Sequence, residues 1–258
     1  MEITLDFIDE LIRFVKNAYN NSKNITNKNV KNKELNDIVT DVDIYMEEQI
    51  VSFITEHFPE HTIYSEEVGE INKENEYEWL IDPIDGTINF ANGIPLFATS
   101  IALRKKDTTI FGIIFDYAQN DVYYCIKGKG SFCNDRQIFV SNCNKLKDSI
   151  VSFCLTSHYN EEHIKEVIKI EEKLASKVRG LRLIVSAAIE LAWCASGKID
   201  GCLNVKPSMG LSSCAGKLLV QEAGGKVTNL DGEQRKNIDT MLVTNGCIHD
   251  DLISAISD

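Results

Sequence analysis

Histidine is scarce in this chain, with five in 258 residues, and none of the eight cysteines forms a C-x-x-C pair. A zinc site of thiolates and imidazoles therefore has little to be built from. No apolar run approaches the roughly 20 residues that a membrane-spanning helix needs. The opening segment MEITLDFIDELIRF has no basic stretch ahead of its apolar residues and carries acids through them. It does not read as a secretory signal, so the expectation is a cytoplasmic protein with reduced thiols, several of them in the core. Internal repeats, Pro/Ser-rich linkers and low-complexity tracts are also missing. Positive charge is in deficit: 27 Lys and Arg face 39 Asp and Glu, a formal net charge of −12. Such a surface repels phosphate backbones and anionic lipid, so neither a nucleic-acid partner nor a membrane surface is expected. It also means that an anionic substrate would need a local device to bind.

What is present is ordinary globular composition, 43% hydrophobic and 26% charged. Apolar spacing predicts a helix over 3–19 with Ile8, Leu11, Ile12, Val15 and Tyr19 on one face. The Asn/Lys-rich stretch over 17–36 reads as a polar loop. A second helix is expected over 41–57, with Ile44, Ile50, Val51, Ile54 and Phe58 as its buried stripe, Thr40-x-x-Asp43 as a capping box and Pro59 as the stop. Strands are expected at 62–64 and 78–81, then near 96–104, 109–116 and 121–127 as a meander, with Asn134-Asp135-Arg136 as a turn. The second half alternates: strands near 149–155, 178–184, 199–205, 226–229 and 240–244, and helices near 160–176, 186–196, 211–223 and from 248. This pattern implies layered α and β elements and not a pure parallel doubly wound sheet.

Chemistry concentrates in Glu66, Asp82 and Asp85. Asp82-Pro83-Ile84-Asp85-Gly86-Thr87 follows a strand directly, and proline fixes a turn from which two carboxylates leave close together. Adjacent carboxylates repel unless a proton or cation lies between them. Oxygen donors without His or Cys select Mg²⁺ or Ca²⁺, and such a cation is the device an acidic protein needs for an anion. Gly86 permits close backbone approach, amides at a turn or helix start can cradle an anion, and the Thr87 hydroxyl can hold a water in line with a phosphorus atom. The plain alternative is a polar turn, since every residue here is a good turn former. Asp43 is the next candidate. It either completes the capping box, favoured by the helix dipole, or accepts a hydrogen bond from Thr87 and so activates the water. The cysteines, the histidines and the small residues over 187–195 read as structure.

These residues resemble the inositol monophosphatase superfamily of Mg²⁺-dependent, lithium-sensitive phosphomonoesterases. The resemblance spans nearly the whole chain. Asn36-Asp37 through Asp43 is similar to the family's first acidic segment, Ser65-Glu66-Glu67 to its Glu-containing loop, and Trp79 through Phe90 to its signature. Gly93-Ile94-Pro95, Ser186-Ala187-Ala188, Gly197 through Gly201 and Glu222 through Gly225 fall where further landmarks belong. The resemblance implies an alternating α-β-α-β-α sandwich of the inositol monophosphatase and fructose-1,6-bisphosphatase type. It implies a single unit over 1–258 with a metal-motif half, 1–147, and a substrate half, 148–258. It implies a homodimer acting on a small-molecule phosphate monoester. Glu66, Asp82 and the Ile84 carbonyl would hold one Mg²⁺, and Asp82 and Asp85 a second. Thr87 with Asp43 would orient the attacking water. Gly86 and Thr87 amides would hold phosphate, with Ser186, Ala187 and Asn204 on the substrate side.

Three positions depart from the family pattern. Ser212 stands where the family has an Asp that binds the second metal, and a hydroxyl is a poorer Mg²⁺ ligand than a carboxylate. Val185 stands where the family has a Gly beside the substrate. Asn204 replaces an acid that contacts sugar hydroxyls in inositol-specific members. Inositol 1-phosphate, fructose 1,6-bisphosphate, another sugar phosphate and a nucleotide 3′-phosphate all remain as substrates. The alternative is a catalytically weak or inactive member, a phosphometabolite-binding dimer that regulates a partner.

Overall fold

The computed structural model describes residues 3–25, 30–32, 38–154, 159–205, 210–234 and 240–257. In chain order its elements are α1 (Leu5–Ser22), β1 (Val30–Asn32), β2 (Ile38–Thr40), α2 (Asp41–His57), β3 (Thr62–Ser65), β4 (Gly69–Ile71), β5 (Tyr77–Asp85) and α3 (Thr87–Ala91). The meander β6 (Ala98–Lys105), β7 (Thr108–Asp116), β8 (Asp121–Ile126), β9 (Gly130–Cys133) and β10 (Arg136–Ile138) follows. The rest is β11 (Ile150–Phe153), α4 (Glu161–Ala175), β12 (Gly180–Leu183), α5 (Ala187–Ala195), β13 (Gly201–Asn204), α6 (Cys214–Glu222), β14 (Lys226–Thr228), β15 (Met241–Thr244) and α7 (His249–Ser257).

An eight-stranded sheet runs β10-β9-β8-β7-β6-β5-β3-β4, and a five-stranded sheet runs β12-β11-β13-β15-β14. The first is antiparallel except where β3 lies parallel to β5. In the second, β11 is parallel to both β12 and β13. Side-chain alternation then fixes the layers. Trp79 and Ile81 of β5 join Ile8, Leu11, Met46 and Ile50 in a core under α1 and α2. Leu80 between them faces the other way, into a core with Ala188, Leu191, Leu219 and Val220 of α5 and α6. Cys202 of β13 closes that middle core from the second sheet, while Leu203 turns outward to Val167 of α4 and Leu252 of α7. The order helix, sheet, helix, sheet, helix is the layered sandwich implied above.

Small residues let the middle layer seat tightly. A Cβ on Gly112 of β7 would come within 2.7 Å of the Ala215 Cα, and one on Gly216 within 2.4 Å of the Leu191 Cβ. Of the eight free cysteines, 125, 154, 194 and 202 are buried.

Several sequence expectations need correction. The polar stretch over 17–36 is not all loop: α1 continues to Ser22, and β1 pairs with β2. Residues 26–29 and 33–37, including Asn36 and Asp37, lie outside the described residues, as do 206–209. The buried face of α2 is Val42, Asp43, Met46, Glu47, Ile50, Phe53 and Ile54, so Ile44 and Val51 are only half buried. Two acids lie within this face, which hid it from an apolar pattern. Short strands β4, β9 and β10 carried too little alternation to be read. The helix expected from 211 begins at Cys214 after a turn.

Candidate active site

The expected strand end at 81 is the most informative miss. β5 runs on through Asp85, with Asp82 opposite Ser100 and Asp85 opposite Ala98. Three steps along β5 thus match two along β6, so one residue is bulged out. Without the bulge, Asp82 and Asp85 would point to opposite faces; with it, both follow the face of Ser100 and Ala98. Proline is tolerated here because a bulge needs no ladder donor. That face looks toward α5 and α6, so two carboxylates enter the middle layer together.

Their surroundings differ. Asp82 is 6% exposed, and its Oδ1 has no hydrogen-bond partner. Burial, then the neighbouring Glu66 and Asp85 charges, push its carboxyl well above the ordinary range. Asp85 is anchored at the start of α5: Ser186 Oγ donates to its Oδ2, and the Ala188 amide donates at 2.8 Å. Burial still raises it to about 6 against these bonds. Ser186 caps α5 and, with Ala187 and Ala188, holds Asp85.

Glu66 sits on the turn after β3, which is organised by Glu47 of α2, a residue the sequence reading missed. The buried Glu47 carboxylate accepts from Ser65 Oγ, from the Glu67 amide at 2.8 Å and from the Val68 amide at 3.1 Å. Its signal was available, because Asp43 and Glu47 are acids four residues apart within an otherwise buried helix face.

The capping box at α2 is present. Asp43 accepts from the Thr40 amide at 3.0 Å and from the Thr40 hydroxyl through Oδ2, and from Thr87 Oγ1 at 3.2 Å through Oδ1. Asp43 thus completes the capping box with one oxygen and meets the Thr87 hydroxyl with the other. Burial raises its carboxyl to about 6. The Thr87 hydroxyl also lies 2.9 Å from the Ile84 carbonyl, which keeps a second lone pair. Gly86 has φ +90 and precedes α3, and a Cβ there would meet the Leu96 carbonyl at 2.8 Å, so no other residue fits.

The turn carrying Ser212 is tied to the same place. Ser100, the strand partner of Asp82, has its hydroxyl 3.5 Å from the Leu211 carbonyl and 3.4 Å from that of Ser212. Ser212 does not cap α6. The cap is Ser213, whose hydroxyl makes no capping bond. Asn204 is buried, and the Tyr159 hydroxyl lies between its Oδ1 and the Cys154 carbonyl.

Oxygen donors alone, like charges forced together and an orphaned buried oxygen on Asp82 are what a hard divalent cation relieves. Glu66, Asp82, Asp85 and the Ile84 carbonyl therefore fit Mg²⁺. Among the described residues no three acidic, His or Cys side chains already converge as a finished cage. Glu66 and Asp85 both lie close enough to Asp82 for their charges to raise its carboxyl. Among the described residues, no helix is long and apolar enough to cross a membrane.

The profile of the Inositol monophosphatase family matches residues 2–257. The Inositol-1-monophosphatase of Mesorhizobium japonicum is 35% identical over 214 residues, covering 81% of this chain and 79% of that protein. The Nus factor SuhB of Escherichia coli K12 is 35% identical over 204 residues, covering 78% and 74%. Relatives named Nus factors give no support to the expectation, drawn from charge, that nucleic-acid partners are absent. Among solved structures, the Thermotoga maritima IMPase matches with a TM-score of 0.88 at 30% identity, covering 98% of this chain and 97% of that one. The extragenic suppressor protein suhB of Bartonella henselae matches with a TM-score of 0.89 at 26% identity, covering 97% of both. With the profile spanning nearly every residue, this chain belongs to the inositol monophosphatase family.

Proposed function

We propose that this protein is a Mg²⁺-dependent phosphatase that hydrolyses a small phosphate monoester. The observation that carries the reading is Asp82: a buried carboxylate with an unpartnered oxygen, crowded by Glu66 and Asp85. A bound cation relieves a cluster strained in this way, and such perturbed groups gather at functional sites. Glu66, Asp82 and the Ile84 carbonyl would hold one cation, and Asp82 and Asp85 a second, with Ser212 offering only a hydroxyl to it. Bound Mg²⁺ supplies neutralisation of the ester's charge, which the slow uncatalysed hydrolysis of phosphate monoesters demands.

The chain's own groups do the rest. Asp43 draws the Thr87 hydroxyl proton toward its Oδ1, which leaves the Thr87 lone pairs free to accept from a water and aim it. Gly86 lets the backbone approach the ester phosphate, and its amide and that of Thr87 donate to the phosphate oxygens. Ser186 and Ala188 fix Asp85 against rotation.

A second reading has its own observations: Ser212 lacks the carboxylate, and several relatives carry the name Nus factor SuhB. On that reading the fold binds a phosphometabolite and regulates a partner without turnover. An assay of a phosphate-monoester panel with Mg²⁺ and with excess EDTA separates the two. Chelator-sensitive hydrolysis supports the phosphatase. Mg²⁺-dependent binding of phosphate without hydrolysis supports the regulator. Full activity in EDTA overturns the metal site itself.

A further inference from the structure

The bulge that brings Asp82 and Asp85 to one face sets Pro83 and Ile84 of β5 against a single residue of β6, Thr99. A bulge disrupts the ladder locally, so its carbonyls need donors from elsewhere. Each of the two finds a threonine hydroxyl. The Ile84 carbonyl is met by Thr87, within the motif, at 2.9 Å. The Pro83 carbonyl is met by Thr99, from the neighbouring strand, at 2.6 Å.

Thr99 is fully buried and has one hydroxyl proton. A carbonyl only accepts, so that proton goes to Pro83. The Thr99 oxygen also lies 2.6 Å from the Tyr117 hydroxyl, and there the bond must run the other way, with Tyr117 donating. Tyr117, Thr99 and Pro83 thus form one directed chain in which each bond polarises the next. Tyr117 follows β7 and is held by its ring. Tyr19 of α1 stacks on it with centroids 3.7 Å apart and planes 21° apart, and the Phe97 ring lies at 5.9 Å. One end of the chain is therefore fixed by packing under α1. The other end is the peptide between the two carboxylates.

We propose that Thr99 and Tyr117 are positioning residues for cation binding, which clamp the bulge of β5 from the α1 side and so keep Asp82 and Asp85 aimed together. This rests on the reading of Glu66, Asp82 and Asp85 as Mg²⁺ ligands. The two carboxylates of β5 repel each other, and a strand that lost its bulge would turn them to opposite faces. Gripping the Pro83 carbonyl holds the backbone between them and leaves both carboxylates free to ligate.

The test measures binding of Mn²⁺, an oxygen-preferring stand-in for Mg²⁺, from the free-ion signal in electron paramagnetic resonance, without substrate. It compares wild type with Thr99→Val, Thr99→Ser, Tyr117→Phe and the double variant Thr99→Val/Tyr117→Phe. Valine keeps the shape of threonine without its hydroxyl, and serine keeps the hydroxyl. The dissociation constant should rise at least about tenfold in Thr99→Val, the effect typical of outer-sphere groups that orient a ligand. It should stay within about twofold in Thr99→Ser. It should rise about threefold in Tyr117→Phe, which loses only the polarising bond. Because Tyr117 acts through Thr99, the double variant should bind as Thr99→Val does. Circular dichroism confirms that each variant is folded. A folded Thr99→Val that binds within about twofold of wild type overturns the inference and leaves the metal reading standing, and so does a serine variant as weak as valine. If Thr99→Val does not fold, an unchanged constant in Tyr117→Phe overturns it instead. A double variant weaker than Thr99→Val overturns the relay through Thr99. A wild type that binds no Mn²⁺ overturns the metal reading and the inference with it.

Discussion

The substitution Asp43→Asn separates structure from chemistry at a single atom pair. The carboxyl is held at about 6 rather than 3.8, and at roughly 1.4 kcal/mol per unit this makes the ionised group cost about 3 kcal/mol in the folded, metal-free protein. Because the folded value exceeds the unfolded one, the folded state holds its proton more tightly between pH 4 and 6. Stability from this group is full at the acid end, declines as pH rises through about 6 and stays low above it. Asparagine abolishes that dependence. Its carbonyl can keep the Thr40 contacts made by Oδ2, so the cap is retained within about 1 kcal/mol. The introduced amide then faces Thr87 Oγ1, which must turn its proton to the Ile84 carbonyl and accept from that amide, losing the lone pair that aims water. In chelator at pH 7.5, the variant should therefore melt no lower than wild type. Its melting temperature relative to wild type should rise as pH increases from 4 to 7. With saturating Mg²⁺ and substrate, turnover should fall at least about tenfold. Turnover within twofold of wild type would refute the water-aiming role and leave Asp43 a cap. A parallel pH dependence in the two proteins would refute the burial argument.

Three further outcomes follow from the same geometry. Asp82→Asn should lower turnover by on the order of 10²-fold or more, beyond what outer-sphere changes typically do, and should abolish the Mg²⁺-induced rise in melting temperature; near-normal turnover would make Asp82 a bulge residue only. Ser212→Asp adds a charge beside the second cation position, an attraction of several kcal/mol before desolvation; half-maximal rate and thermal shift should then need less Mg²⁺ than the roughly millimolar level expected of wild type, and an unchanged titration would place Ser212 outside the metal site. Glu47→Ala strands the Glu67 and Val68 amides, so stability should drop by about 3 kcal/mol and the Mg²⁺ midpoint should rise as the Glu66 turn loosens; a stability loss with an unmoved midpoint would show that Glu66 is not a ligand.

Long elements were legible because their signals are local. Thr40 and Asp43 mark the start of α2 by capping chemistry, Pro59 marks its end, and the 3.6 period marks α1. The site was legible as a motif but not as geometry. Nothing in Asp82-Pro83-Ile84-Asp85 says that the strand continues through it with a bulge, since register depends on β6, which lies later in the chain. Glu47 was passed over because helix reading looks for apolar stripes, and buried acids break them. Nothing local to Ser186 announces its bond to Asp85, a hundred residues away in sequence. The Ser213 start of α6 shows the same limit, because a turn tied to Ser100 decides where that helix begins.

The bulged end of β5 is completed from far along the chain: Ser186 reaches Asp85 across 101 positions, Asn89 reaches Ile184 across 95, and Ser100 reaches Ser212 across 112. Contacts this distant form late, after the entropy of closing long loops has been met. A ribosome-bound chain that has emerged only through the meander can therefore build the outer helices and the large sheet, yet its clustered acids remain unbraced. Competence should arrive in one step when α5 and α6 dock, so that in refolding experiments catalysis lags behind the recovery of secondary structure, and the protein spends its early life as a scaffold without a trade.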